Sequence, residues 1–304
     1  VMVRQTLIDV LINQGNMSAA SEQFQKLVEQ DPSNPDYLLR WGQTLLDDEK
    51  QPLEKRRNSA ADVWKRLGEA RSDDAVILAQ IADRLRGIER NDEAIELYQK
   101  AIEVDPVSPQ YREYLGEFYN QLGRKEDAIA TWESIAEGDR RDRDSLVRLA
   151  EIFATFKDNE RSLAAFREAA GLDLTFSQEL RFAEQLRSAK LYDEALERLA
   201  AAESIAESPD EQEQVLREKI TTYKESGQLA DQIAVLEKAE PTTSHLRTMA
   251  MMHAARGKLT DAAKKIAEAV KQEPDNTDVL IVAAEIYERQ NQFAKAIETF
   301  STLS

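Results

Sequence analysis

Two histidines, His245 and His253, and no cysteine are available for metal or nucleophilic chemistry in this 304-residue chain. On one helix the eight-residue separation of the imidazoles amounts to about 12 Å of rise, too far to share a metal ion. A Ser-His-Asp relay can be drawn through either one, but no nucleophile-elbow sequence accompanies them. There is no glycine-rich phosphate loop and no Gly-Lys-Ser/Thr. The absence of cysteine removes disulfides, thiolates and Cys-built zinc sites, and assigns no compartment. Carboxylates are plentiful, but they recur with bases at helical spacing, as in Glu22 and Lys26, where pairing on a solvated face contributes a few tenths of a kcal/mol. The residues therefore predict no catalytic group, no metal site and no cofactor.

With 57 acidic against 40 basic residues the formal net charge is -17, spread along the chain. Such a field repels phosphate backbones and anionic lipid. Aromatic residues are not interleaved with bases, so no base-stacking platform is expected, and no apolar run approaches the roughly 18 residues of a membrane span. Nucleic acid and direct membrane insertion are thus excluded as partners, which leaves protein or peptide.

The composition favours helix: 42% hydrophobic and 32% charged residues, with only 10 Gly and 8 Pro. The apolar positions repeat about every 34 residues. Between Pro109 and Asp142 lie Leu115, Gly116 and Tyr119, then Gly123, Ala128, Trp132 and Ile135. One step back these become Ile81, Ala82, Leu85, Glu89, Ala94, Tyr98 and Ala101; one step forward, Leu149, Ala150, Phe153, Lys157, Ser162, Phe166 and Ala169. Along the whole chain this predicts about nine repeats: 1–34, 35–74, 75–108, 109–142, 143–175, 176–212, 213–242, 243–276 and an incomplete 277–304.

Each repeat carries two amphipathic stretches with spacings of three and four, and hence two helices. Gly15, Gly123, Gly227 and Gly257 mark the turn between them. Small residues at the eighth and twentieth places let the helices approach, and a bulky residue at the twenty-fourth (Phe24, Trp64, Tyr98, Trp132, Phe166, Leu199, Leu236, Ile266 or Phe300) fills the remaining groove. Pro32, Pro106 and Pro274 stop second helices, while Ser33, Ser108 and Asn276 or Thr277 are the expected caps of the next first helices. One hairpin cannot bury its own apolar face, so neighbours must stack.

This pattern resembles the tetratricopeptide repeat family. The resemblance spans essentially the whole chain, although the family's early Trp is absent from its usual fourth place and repeat two carries Trp41 at the seventh instead. It implies an all-α fold, a right-handed superhelical solenoid of antiparallel helix hairpins forming a single domain over 1–304, and a non-catalytic protein-interaction scaffold. In this family the first helices line a concave groove, with ligands met at the second, fifth, sixth, ninth, twelfth and thirteenth places. Mapped here, the ninth place carries Asp9, Gln43, Asp83, Glu117, Glu151, Glu184, Thr221, Met251 and Glu285; Arg40, Arg148 and Arg181 hold the sixth and Arg217 and Arg247 the fifth. Arg148 with Glu151 and Arg181 with Glu184 are expected to be neighbours on their own helices. An acidic stripe with arginine posts suits a partner of basic or mixed charge. The family's chaperone-tail clamp is not matched, since no repeat offers Lys at the fifth place with Asn at the ninth.

Two repeats depart from the rest. Repeat two has an insertion over 49–58, expected in the turn, whose Lys55, Arg56 and Arg57 suit an acidic contact. In repeat seven Ile220 and Gln232 replace the two small residues, which predicts wider helix separation and either a change in superhelical path or a soft joint over 207–245. Val1 and Ser304 both fall inside helical patterns, as expected of a segment of a longer chain, in which the rod would regulate a catalytic domain or serve as a spacer. The apolar face of the last helix, Phe293, Ile297 and Phe300, leaves that repeat open to self-association.

Overall fold

A computed structural model describes residues 2–301, apart from the Phe300 side chain. Val1 and Phe300, expected as the start of the first repeat and the bulky residue of the last, thus lie outside the described backbone and side chains respectively. Among the described residues there are eighteen α-helices and no strand. The chain divides into two compact units, Val1–Ser145 and Leu146–Ser304.

The N-terminal unit contains α1 (Met2–Asn13), α2 (Met17–Val28), α3 (Pro35–Leu46), α4 (Leu53–Ala70), α5 (Ala75–Gly87), α6 (Asn91–Val104), α7 (Gln110–Gln121) and α8 (Lys125–Glu133). Next come α9 (Arg143–Thr155), α10 (Asn159–Ala169), α11 (Phe176–Ser188), α12 (Tyr192–Ile205), α13 (Pro209–Glu225), α14 (Leu229–Lys238), α15 (Thr243–Ala255), α16 (Leu259–Gln272), α17 (Thr277–Arg289) and α18 (Phe293–Ser301). Odd-numbered helices are the first of each hairpin and even-numbered ones the second. Each second helix described as packing onward, such as α2 on α3, α6 on α7 or α16 on α17, meets the first helix of the next repeat.

Residues at the turn explain the hairpins. The fifteenth place is left-handed in Gly15, Glu89, Gly123, Lys157, Lys190, Gly227, Gly257 and Asn291. Immediately after it, an N–H bonds back to the eleventh-place carbonyl, as from Arg90 to Leu85, Arg124 to Tyr119 and Lys258 to His253, each at 2.9 Å. This closes the first helix and redirects the chain with backbone alone. Several second helices, beginning after Arg90, Arg124, Leu191 and Lys258, accordingly start with no side-chain cap. Many first helices do use one: Asn34, Asp74, Thr175, Ser208, Thr242 and Asn276 each accept from a backbone N–H three residues on. Asn276 caps as expected. Asn34 caps α3 in place of Ser33, because its carboxamide oxygen sits at the residue directly before helical Pro35. Ser108 does not cap α7; its own N–H instead donates to Asp105 Oδ1 at 3.3 Å.

The eighth, twentieth and twenty-fourth places form the core. Ala82, Ala94 and Tyr98 are each 0% exposed, and each bulky side chain so buried contributes about 1.5–3 kcal/mol. The fourth place, Leu in six repeats, is equally buried in Leu38, Leu78 and Leu146. Three repeats put a charge there. Half-buried Arg4 donates to Gln23 Oε1 at 2.7 Å. Arg112 is satisfied by donating to the carbonyls of Pro106 and Ser108. Among the described residues Glu179 has Arg198 alone as an ion-pair partner, at 3.7 Å, and burial raises its pKa.

The insertion in repeat two is mostly helical. Pro52 precedes α4, which starts at Leu53 and runs 18 residues, because Leu53, Glu54, Lys55, Arg56 and Arg57 are all good helix formers. In repeat seven far fewer residues meet between α13 and α14 than between α11 and α12 or α15 and α16. Ile220, buried among Leu229, Ile233 and Met252, occupies the space a small residue would leave for close helix approach.

Candidate partner-binding face

The first helices of each unit carry the predicted charged places, and these charges largely meet one another across neighbouring helices. In the N-terminal unit Arg40 on α3 pairs with Asp9 on α1, and Arg86 on α5 lies 3.5 Å from Glu117 on α7. In the C-terminal unit Arg181 on α11 pairs with Glu151 on α9, Arg187 on α11 with Glu218 on α13, and Arg247 on α15 with Glu213 on α13. Arg217 spans farther, bonding Glu213 at 2.8 Å and approaching Glu285 on α17 at 3.5 Å. The same-helix pairing expected between Arg181 and Glu184 is replaced by Arg181 with Glu151, because the Arg side chain reaches the adjacent first helix. Arg148 is itself engaged in an interaction.

The remaining predicted residues have distinct surroundings. Gln43 donates to Asp47 at 2.8 Å. Asp83 accepts the hydroxyl of Tyr98, and it is this contact, after burial, that holds the phenol proton well above its ordinary pKa. Glu117 accepts from Gln121. Glu184 lines an open hollow of about 470 Å³ with Phe176, Leu180, Arg187 and Glu218.

Lys55, Arg56 and Arg57 stand on the first turns of α4, a second helix, and so away from this face. Lys55 bonds Gln51, Arg56 donates to the carbonyl of Leu46 at the end of α3, and Arg57 pairs with Glu89 at 2.8 Å. Their contacts therefore brace the elongated helix against its own hairpin and the next turn.

A second hollow, of about 340 Å³, opens between α13, α15 and α17. Buried Ile220, Ala254, Val282 and Ile286 close its floor, Met251 and Ala255 are half-buried in its wall, and Arg217, Glu285 and Arg289 stand at the rim. Sequence reasoning passed over it, although Met251 and Thr221 interrupt the acidic ninth place. Arg86 and Arg187, both at the twelfth place, were also passed over; they lie three residues from the ninth on the same helical face.

His253 is half-buried at the eleventh place, with its pKa lowered by burial. Among the described residues no group of three or more His, Asp or Glu is gathered to hold a metal ion, and no described helix is long and apolar enough to cross a membrane.

A sequence profile of the tetratricopeptide repeat matches residues 80–141, and a second such profile matches residues 253–304. A search of curated proteins found no significant match. Solved structures similar in fold include a crystal structure of MamA, 20% identical, covering 54% of this chain and 92% of that one with a TM-score of 0.34. A tetratricopeptide repeat protein from Parabacteroides merdae is 13% identical, covers 94% and 98%, and scores 0.36. The C-terminal part of a repeat-containing protein from Cytophaga hutchinsonii is 14% identical, covers 91% and 98%, and scores 0.38. At these scores the superpositions carry no argument; the profile matches do, one in each compact unit, together with hairpins of the same construction between them. The chain is a tetratricopeptide repeat protein.

Proposed function

We propose that this protein is an interaction scaffold in which the first-helix face within each compact unit forms a concave groove for an extended or helical segment of a protein partner, basic or mixed in charge. Proteins built of this repeat are generally non-catalytic binders of proteins and peptides, and the coarse reading follows from the family. The finer reading is supported by the state of the ninth-place carboxylates. Asp9, Asp83, Glu117 and Glu285 keep 55%, 56%, 43% and 48% of their side-chain surface exposed despite their pairings. Such half-solvated pairs are worth about 0–1 kcal/mol, so an incoming lysine or arginine can share the carboxylate at little cost. The pairs also hold the carboxylates in place before a partner arrives, which reduces the ordering cost of binding.

The test is a triple substitution, Glu117→Gln, Glu151→Gln and Glu184→Gln, with the partner set recovered from lysate compared with that of the parent chain. Loss of the basic partners supports the groove; an unchanged set defeats it. Phe293 and Ile297 on α18 are 56% and 66% exposed, which favours a second contact, self-association through the last repeat. Solution mass measured against concentration decides that point.

A further inference from the structure

We propose that the hollow between α13, α15 and α17 is an anchor pocket for one large aliphatic side chain of a partner segment that also carries a carboxylate close by. The proposal rests on the reading of the first-helix face as the partner surface and specifies what one part of that face takes.

Three observations converge on this pocket. First, repeat eight departs from the acidic pattern at the ninth place, where it has Met251, and carries only methyl groups at the twelfth and thirteenth, Ala254 and Ala255. Small side chains beneath a flexible thioether leave a recess that Met251 can reshape around an entering group. Secondly, Ile220, Val282 and Ile286 close the floor, so the recess is apolar where a side chain would end. Its volume of about 340 Å³ is at the small end of ligand pockets, which suits a side chain and its flanking backbone.

Thirdly, the charge at the rim is unbalanced. Arg217 is matched by Glu213 and Glu285. Arg289 donates to the carbonyl of Ala254 at 2.9 Å and has no carboxylate partner among the described residues. A guanidinium beside an apolar recess, with donors to spare, is complementary to a carboxylate on the molecule that fills the recess. The occupant is therefore an acidic-apolar segment, and the acid is read by Arg289.

Methionine methyl NMR on the full chain tests this directly. Met251 lines the pocket, whereas Met249 and Met252 are 2% and 4% exposed and report on the fold. Three probe peptides are titrated: acetyl-Leu-Ser-Ser-Glu-amide, its Ala-for-Leu form and its Lys-for-Glu form. The Met251 methyl is expected to shift saturably with the first, and roughly tenfold more weakly with the Ala form, for the methyl groups lost from the recess. Arg289→Gln should bring the Glu and Lys forms to equal affinity while leaving Met249 and Met252 unmoved. Ala255→Leu should block all three by filling the recess. No Met251 response, or equal responses to all three probes on the parent chain, overturns the proposal. The stripe carboxylates Glu117, Glu151 and Glu184 do not line this pocket, so loss of the stripe reading leaves the Met251 titration intact, and the converse also holds.

Discussion

The indole of Trp64 lies against the backbone of Gly42 so closely that a Cβ added to Gly42 would overlap Nε1, Cε2 and Cδ1 of the ring. Gly116 and Trp132 stand in the same relation. The eighth and twenty-fourth places therefore share one volume: glycine faces tryptophan, whereas alanine faces a smaller ring in Ala82 with Tyr98 and Ala150 with Phe166. Gly42→Ala should cost about 1–3 kcal/mol through overpacking. Adding Trp64→Phe, which recreates the pair of repeat five, should recover part of that loss. Urea midpoints of the two single variants and the double variant check this; purely additive costs would show that the places do not share space.

A left-handed residue at the fifteenth place is strained unless it is glycine. Lys190, with φ 62°, occupies it in repeat six. Lys190→Gly should raise stability by about 0.5–1 kcal/mol, since relief of the backbone strain exceeds the added freedom of the unfolded chain. Gly257→Ala should lower it by a similar amount. Thermal midpoints of the two variants should move in opposite directions.

Glu179 stands where six repeats carry leucine, and burial raises its pKa above 4.5. The native state therefore holds this proton more tightly than the unfolded chain, so the stability it contributes is present below pH 4.5 and lost as pH rises through the native pKa. Glu179→Leu should stabilise the protein at neutral pH by about 1–3 kcal/mol, and the gain should shrink below pH 4.5. Unfolding free energies of parent and variant measured across that range decide the matter.

For His253 the sign is opposite. Burial lowers its pKa below 6.5, so its native environment favours the neutral ring, and stability falls as pH drops from 6.5 through the native value. His253→Tyr, the residue of repeats four, seven and nine at this place, should flatten that part of the stability profile. An unchanged acid slope would show that the imidazole does not titrate with unfolding.

The sparse packing of α13 on α14 predicts a locally weak element. Amide exchange over 207–245 should be faster than over α5–α8, because fewer buried contacts oppose local opening. Equal protection in the two regions would count against a soft joint.

The hairpins were legible in the sequence because they depend on intervals within one chain segment, such as Gly116 to Trp132, which the helical period converts directly into contacts. The charge pairing was not. Whether Arg181 meets Glu184 on its own helix or Glu151 on its neighbour depends on the offset between stacked helices, which no spacing within a repeat encodes. The apolar pocket was hidden for a different reason: it is made by what Ala254 and Ala255 lack, and a missing side chain leaves no mark in a pattern of bulky residues. The helical start of α4 was readable from its composition, but Pro52 and the repeat length suggested a longer turn.

Site-specific photo-crosslinking tests most directly whether the first-helix face is the partner surface. A photoreactive amino acid is placed at Glu184 or Thr221 on first helices, and at exposed Glu197 or Val235 on second helices, each in the otherwise unaltered chain. Partner adducts should form from Glu184 and Thr221 and be absent or much weaker from Glu197 and Val235. Adducts of equal yield from both sets, or from the second helices alone, would contradict the account.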